Sequence, residues 1–90
     1  IGAGEVEDAL LDHPAVAEAA VVGEPDDDLG QRIVAYVVPA DRAVADPQQI
    51  ADHVARELSW HKRPRQVIIV DALPRNAMGK VDKGRLSPRV

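Results

Sequence analysis

The sequence of ninety residues predicts an α+β fold, a small and roughly three-stranded sheet flanked by helices, with a C-terminal loop that carries a lysine. Apolar residues recur at three-and-four spacing in two stretches: Val6, Ala9 and Leu10, then Ile50, Val54 and Leu58. Two short runs, Ile33 to Val38 and Val67 to Val70, are almost wholly apolar and rich in β-branched residues. Proline and glycine stand at the borders of these stretches.

Taken in order, Glu5 to Leu11 predicts a helix that Pro14 stops after Asp12-His13. Val16 to Val22 predicts a strand ended by Gly23-Glu24-Pro25. Ile33 to Val38 predicts a second strand covered on both faces, closed by Pro39 and followed by a polar link, Ala40 to Ala45. Asp46 suits a helix N-cap, Pro47 the first helical position and Gln49 the third, as in a capping box. The helix so started presents Ile50, Val54 and Leu58 to a core, with Ala51 and Ala55 beside them. Trp60, at its exit, is expected to plug the edge of that core, the alternative being a ligand platform. After the strand Val67 to Val70 comes the loop, then one helical turn at Lys83 to Leu86 before Ser87-Pro88.

Composition narrows the function. A chain of this size buries only about 60–65% of its unfolded surface. Phe and Cys are absent, so the thin core is built from Val, Ile, Leu and Ala. Absence of cysteine fits a cytoplasmic location. No apolar run approaches the ~18 residues of a membrane-spanning helix, so no membrane partner is expected. His13, His53 and His61 lie far apart in sequence with no cysteine beside them, which leaves no metal-ligand spacing. Asp26-Asp27-Asp28 is an acidic turn; counted from Asp26, a calcium-binding loop needs Gly and Glu where Gln31 and Val37 stand. The opening, Ile1-Gly2-Ala3-Gly4 without an initiator Met, reads as the interior of a longer chain.

Charge is divided unevenly. Residues 1–60 carry three basic against thirteen acidic side chains, net −10, whereas residues 61–90 carry eight against two, net +6. Either the basic third meets an anion, or the two halves attract each other. Arg63, Arg65, Arg75, Lys80, Lys83 and Arg85 cluster around turns, which favours the anion. No aromatic residue follows Trp60, and the pI is acidic, so nucleic acid is not the expected partner.

Lys80 lies in the loop Leu73 to Asp82, punctuated by Pro74, Asn76 and Gly79. Gly79-Lys80 is not a phosphate-binding P-loop, because Pro74 stands where that motif has Gly and Val81 where it has Ser or Thr. A loop lysine is ordinarily just solvated. The alternative is a cationic finger that enters another domain's pocket and meets a phosphate where water is excluded.

Ile1 with Glu5-Val6-Glu7, Glu24-Pro25-Asp26 before Gly30-Gln31, His61-Lys62-x-Pro64, and Leu73-Pro74-Arg75-Asn76-x-x-Gly79-Lys80-Val81-Asp82-Lys83 occur in order along the chain. In these words the sequence resembles the C-terminal subdomain of the adenylate-forming (ANL superfamily) enzymes, which include acyl-CoA synthetases, peptide-synthetase adenylation domains and firefly luciferase. The loop words Arg75-Asn76-Ala77-Met78-Gly79-Lys80-Val81 look most like malonyl-CoA and methylmalonyl-CoA synthetases. The alternative is the adenylation subdomain of a nonribosomal peptide synthetase.

The resemblance implies that residues 1–90 are a mobile subdomain of an acid–thiol ligase. The hinge and the large N-terminal domain, which binds ATP, Mg and the acid, are expected upstream of Ile1. In such enzymes a carboxylate and MgATP give an acyl-adenylate and pyrophosphate; the subdomain then rotates, and the thiol of CoA displaces AMP. The lysine matching Lys80 bridges carboxylate and phosphate oxygens in the first step. Positions matching Leu29, His61 and Arg63 help hold the CoA nucleotide, although Leu29 and His61 depart from the aromatic residues of some relatives. The resemblance also makes Lys80 a target of a protein acetyltransferase and a deacetylase, with Pro74 in the recognised segment. By itself the chain is expected to be inactive, a binding module that such an acetyltransferase reads.

Overall fold

Along residues 33–38 the side chains alternate strictly between two cores. Ile33, Ala35 and Val37 pack with one cluster, while Val34, Tyr36 and Val38 pack with the other. A strand with both faces covered requires this pattern, since successive side chains point to opposite sides. The computed structural model describes residues 3–26, 30–40 and 46–86. Within them the chain forms helix α1 (Ala3–Leu11), strands β1 (Val16–Asp26) and β2 (Gly30–Pro39), helix α2 (Pro47–Glu57), a 3-10 turn (Trp60–Lys62), strand β3 (Gln66–Ile69) and a second 3-10 turn (Lys83–Arg85). The sheet order is β1-β2-β3, with β1 antiparallel and β3 parallel to β2. The α+β class, with three strands and two helices, is as expected.

Both helices cover one face. Val6, Ala9 and Leu10 of α1 and Ile50 and Val54 of α2 meet Val16, Val21, Ala35 and Val37 there. Burying a side chain such as Leu10 or Ile50 stabilises the fold by about 1.5–3 kcal/mol. The other face is covered by the C-terminal segment: Leu73 is buried against Ala20, Val34 and Tyr36, with Val81 and Leu86 packed alongside. The loop that carries Lys80 therefore grows out of a core layer.

Local chemistry sets the ends of α2. Asp46 has extended backbone angles, and its Oδ1 accepts from the Gln48 amide at 2.9 Å and the Gln49 amide at 3.5 Å. Gln49 does not return the bond that would complete a capping box among the described hydrogen bonds; Gln48 instead donates from Nε2 to Asp52 at 3.0 Å. The expectation that Gly23-Glu24-Pro25 ends the first strand is corrected: β1 continues to Asp26, with Pro25 opposite Gln31. Proline lacks an N–H, and β1 lies at the sheet edge, where that loss is tolerated. Asp27, Asp28 and Leu29 of the acidic turn, residues 41–45, Ile1 and Ser87-Pro88 lie outside the described residues.

Candidate functional site

The loop is a hairpin with internal ties. Arg75 and Val81 form an antiparallel bridge, the Asp82 amide donates to Pro74 O at 2.8 Å, and the Asn76 amide donates to Lys80 O at 2.8 Å. Gly79 N–H closes a turn onto Asn76 O at 3.0 Å, so Ala77-Met78-Gly79 is a three-residue hairpin loop. Such a loop needs its last residue in the left-handed region, and Gly79 has φ +83°. Asn76 braces the inside, its Oδ1 accepting from the Met78 amide at 2.9 Å and the Lys80 amide at 3.1 Å.

Two neighbours then fix where Lys80 is presented. Val81 packs on the sheet, so Lys80, one residue earlier, is exposed to solvent. At the hairpin tip Met78 is 80% exposed. The second 3-10 turn is tied to α1 by Lys83 Nζ, which lies 2.8 Å from Glu7 Oε2. That same Glu7 oxygen accepts from the Val21 amide of β1 at 2.8 Å.

These ties decide much of the charge question. Lys62 pairs with Glu5 at 2.6 Å, Arg75 with Glu18 and Lys83 with Glu7, so basic residues of the last third neutralise acidic residues of the first. The anion reading is thus corrected for Arg75 and Lys83, whose partners lie on β1 and α1. Of the chain's three lysines, Lys80 is the one without an ion-pair partner among the described residues.

A second cluster forms where α2 ends. The Leu58 amide donates to Val54 O at 2.9 Å, and the 3-10 turn that follows brings His61 and Trp60 to the surface. Trp60 is 60% exposed, which overturns the expectation that it plugs the edge of the core. Its ring carries the Arg63 guanidinium 3.8 Å from the centroid, a cation–π stack. The three-residue spacing of Trp60 and Arg63 across one tight turn was the available signal, missed because a lone Trp is usually packed. His61 and Arg63 thus share one exposed turn with Trp60. Leu29, expected beside them, lies outside the described residues. No group of three or more His, Cys, Asp or Glu side chains arranged to hold a metal occurs among the described residues.

This arrangement has relatives. The AMP-binding enzyme C-terminal domain family matches residues 5–80. The chain belongs to that family. A solved malonyl-CoA ligase, in a ternary product complex with methylmalonyl-CoA and AMP, is 63% identical with a TM-score of 0.74, covering 82% of this chain and 16% of that one. An amide bond synthetase from Marinactinospora thermotolerans superimposes with a TM-score of 0.91 at 40% identity, over 94% of this chain and 17% of that one. Acetyl-coenzyme A synthetase of Deinococcus radiodurans is 46% identical over 81 residues, 90% of this chain and 12% of that protein. This AMP-binding enzyme C-terminal domain therefore spans less than a fifth of each of these three relatives.

Proposed function

We propose that the chain is the mobile C-terminal subdomain of an ATP-dependent acyl-CoA synthetase and that Lys80 is its adenylation lysine. The observation that carries this reading is the presentation of Lys80: exposed on a braced hairpin, with no carboxylate partner among the described residues, while Lys62 and Lys83 are paired. Docked against the N-terminal domain, the Lys80 ammonium donates to the attacking carboxylate oxygen and to an α-phosphate oxygen as charge builds there. An ammonium suits this task, being compact and able to donate in three directions. ATP and Mg are assigned mainly to the N-terminal domain, and the enzyme to the cytoplasm.

The second step is assigned to the other cluster. Rotation of the subdomain withdraws Lys80 and brings the turn at Trp60 to Arg63 toward CoA. Arg63 pairs with a CoA phosphate, His61 lies beside it, and Trp60 offers a broad indole face that Leu29 does not. Malonate or methylmalonate is the acid we infer, supported by the 63% identity to the malonyl-CoA ligase. The full-length enzyme tests this in acid-dependent ATP–pyrophosphate exchange with a panel of mono- and dicarboxylic acids. The reading expects malonate or methylmalonate to lead and Lys80→Ala to lose about 10²–10³ in exchange rate; preference for a monocarboxylate overturns the acid assignment.

Lys80 is also assigned as the modification site of a protein acetyltransferase and a deacetylase. Acetylation removes the charge that adenylation uses. Lys62 and Lys83 are held in ion pairs, so peptide mass spectrometry after acetyltransferase treatment is expected to find the acetyl group on Lys80. Equal modification of all three lysines refutes selective recognition.

A further inference from the structure

The hairpin is fixed at its base, where Leu73 and Val81 pack on the sheet, and leaves open space beside residues 17–19 of the β1 edge. An open groove of about 220 Å³ separates them, with Leu11 and Ala17 to Ala19 on one wall and Leu73, Arg75 and Val81 on the other. Arg75 crosses that gap. Its Nη1 donates to Gly79 O at 2.9 Å, and its Nη2 donates to Glu18 Oε1. One guanidinium therefore joins the peptide immediately before Lys80 to the edge strand. The bonds made by Asn76 are internal to the hairpin and set its shape, not its direction relative to the sheet. The Glu7–Lys83 pair acts beyond the hairpin, on the following turn.

We propose that Glu18 and Arg75 are positioning residues for Lys80, setting the angle at which the hairpin leaves the sheet. The inference rests on the assignment of Lys80 to adenylation. Both side chains are nearly half exposed, 42% and 46%, and an ion pair so placed adds little to global stability. Its effect is geometric: a guanidinium fork holding two acceptors restricts the hairpin where packing leaves space. A displacement of about 1 Å at a reacting group costs on the order of 10²-fold in rate. The described hydrogen bonds of the guanidinium go to Gly79 O and Glu18, which links it to Lys80 through the Gly79–Lys80 peptide.

The experiment uses the full-length enzyme, separating acid-dependent ATP–pyrophosphate exchange from thioester formation with preformed acyl-adenylate. Glu18→Ala is expected to lower exchange kcat about 10- to 100-fold. KM for ATP and acid, thioester formation and Tm stay close to those of the parent. Arg75→Gln breaks the same bridge from the other side and is expected to give the same split, whereas Glu18→Gln, which keeps an acceptor, recovers part of the rate. On a Lys80→Ala background, adding Glu18→Ala is expected to cause no further loss. Normal exchange in Glu18→Ala and Arg75→Gln, with exchange abolished in Lys80→Ala, overturns the positioning role alone. A further loss on the Lys80→Ala background shows that Glu18 acts by another route and also overturns it. Undiminished exchange in Lys80→Ala overturns the underlying assignment together with this inference.

Discussion

At the scale of single residues, His13 illustrates how a surface-facing turn becomes sensitive to pH. Its Nδ1 accepts the Ala15 amide at 3.0 Å, so protonation there replaces an acceptor with a donor. Burial, the neighbouring His53 and the Arg56 charge all hold its pKa below the ordinary 6.5. His53 stands edge-on at 5.1 Å, with its Nε2 2.9 Å from Ala9 O and 3.9 Å from Glu57 Oε1. The unfolded chain then takes up a proton at higher pH than the folded one. Stability is fully present above 6.5 and is lost as pH falls through 6.5 toward the lower folded value. Thermal melts of the chain between pH 8 and pH 5 check this: the decline is expected to shrink in His13→Asn, whose amide oxygen replaces the acceptor, and an identical profile contradicts the linkage.

At the scale of elements, the hairpin depends on one backbone conformation. Gly79 has φ +83°, and a Cβ built there meets no atom within 4 Å, so a larger residue pays in conformation and not in collision. Gly79→Ala is expected to destabilise the hairpin by about 1–2 kcal/mol. Asn tolerates this region better, so Gly79→Asn is expected to cost less. Circular-dichroism melts of the chain measure the order, and Ala equal to Gly contradicts it. Several such features were legible in the sequence because they are local: Pro74, Asn76 and Gly79 mark the loop, and Asp46-Pro47 marks the start of α2. The apolar run at 33–38 was legible as a doubly covered strand because both of its faces are buried. The continuation of β1 through Pro25 was not legible, because it depends on β1 being an edge. Trp60 points outward because a 3-10 turn, not a continued helix, follows Leu58. The Glu5–Lys62 and Glu18–Arg75 pairs join residues 57 positions apart, and only the packed fold selects such partners.

At the scale of the whole molecule, the proposed function assigns two exposed basic features to two steps. The Lys80 hairpin grows from the C-terminal layer on one face of the sheet, and the Trp60–Arg63 stack sits where α2, packed on the other face, comes to its end. A rotating subdomain can show one to the active site while withdrawing the other. Local order supports both: the hairpin is braced by Asn76 and Arg75, and the turn by its cation–π contact. The most direct measurement is therefore single-turnover kinetics of the full-length enzyme with its two half-reactions resolved. Lys80→Ala is predicted to slow acyl-adenylate formation about 10²–10³-fold and to leave thioester formation from added acyl-adenylate nearly unchanged. Arg63→Ala is predicted to do the reverse, raising the KM for CoA with adenylation intact. Equal losses in both half-reactions from either substitution would contradict the division of labour on which this account rests.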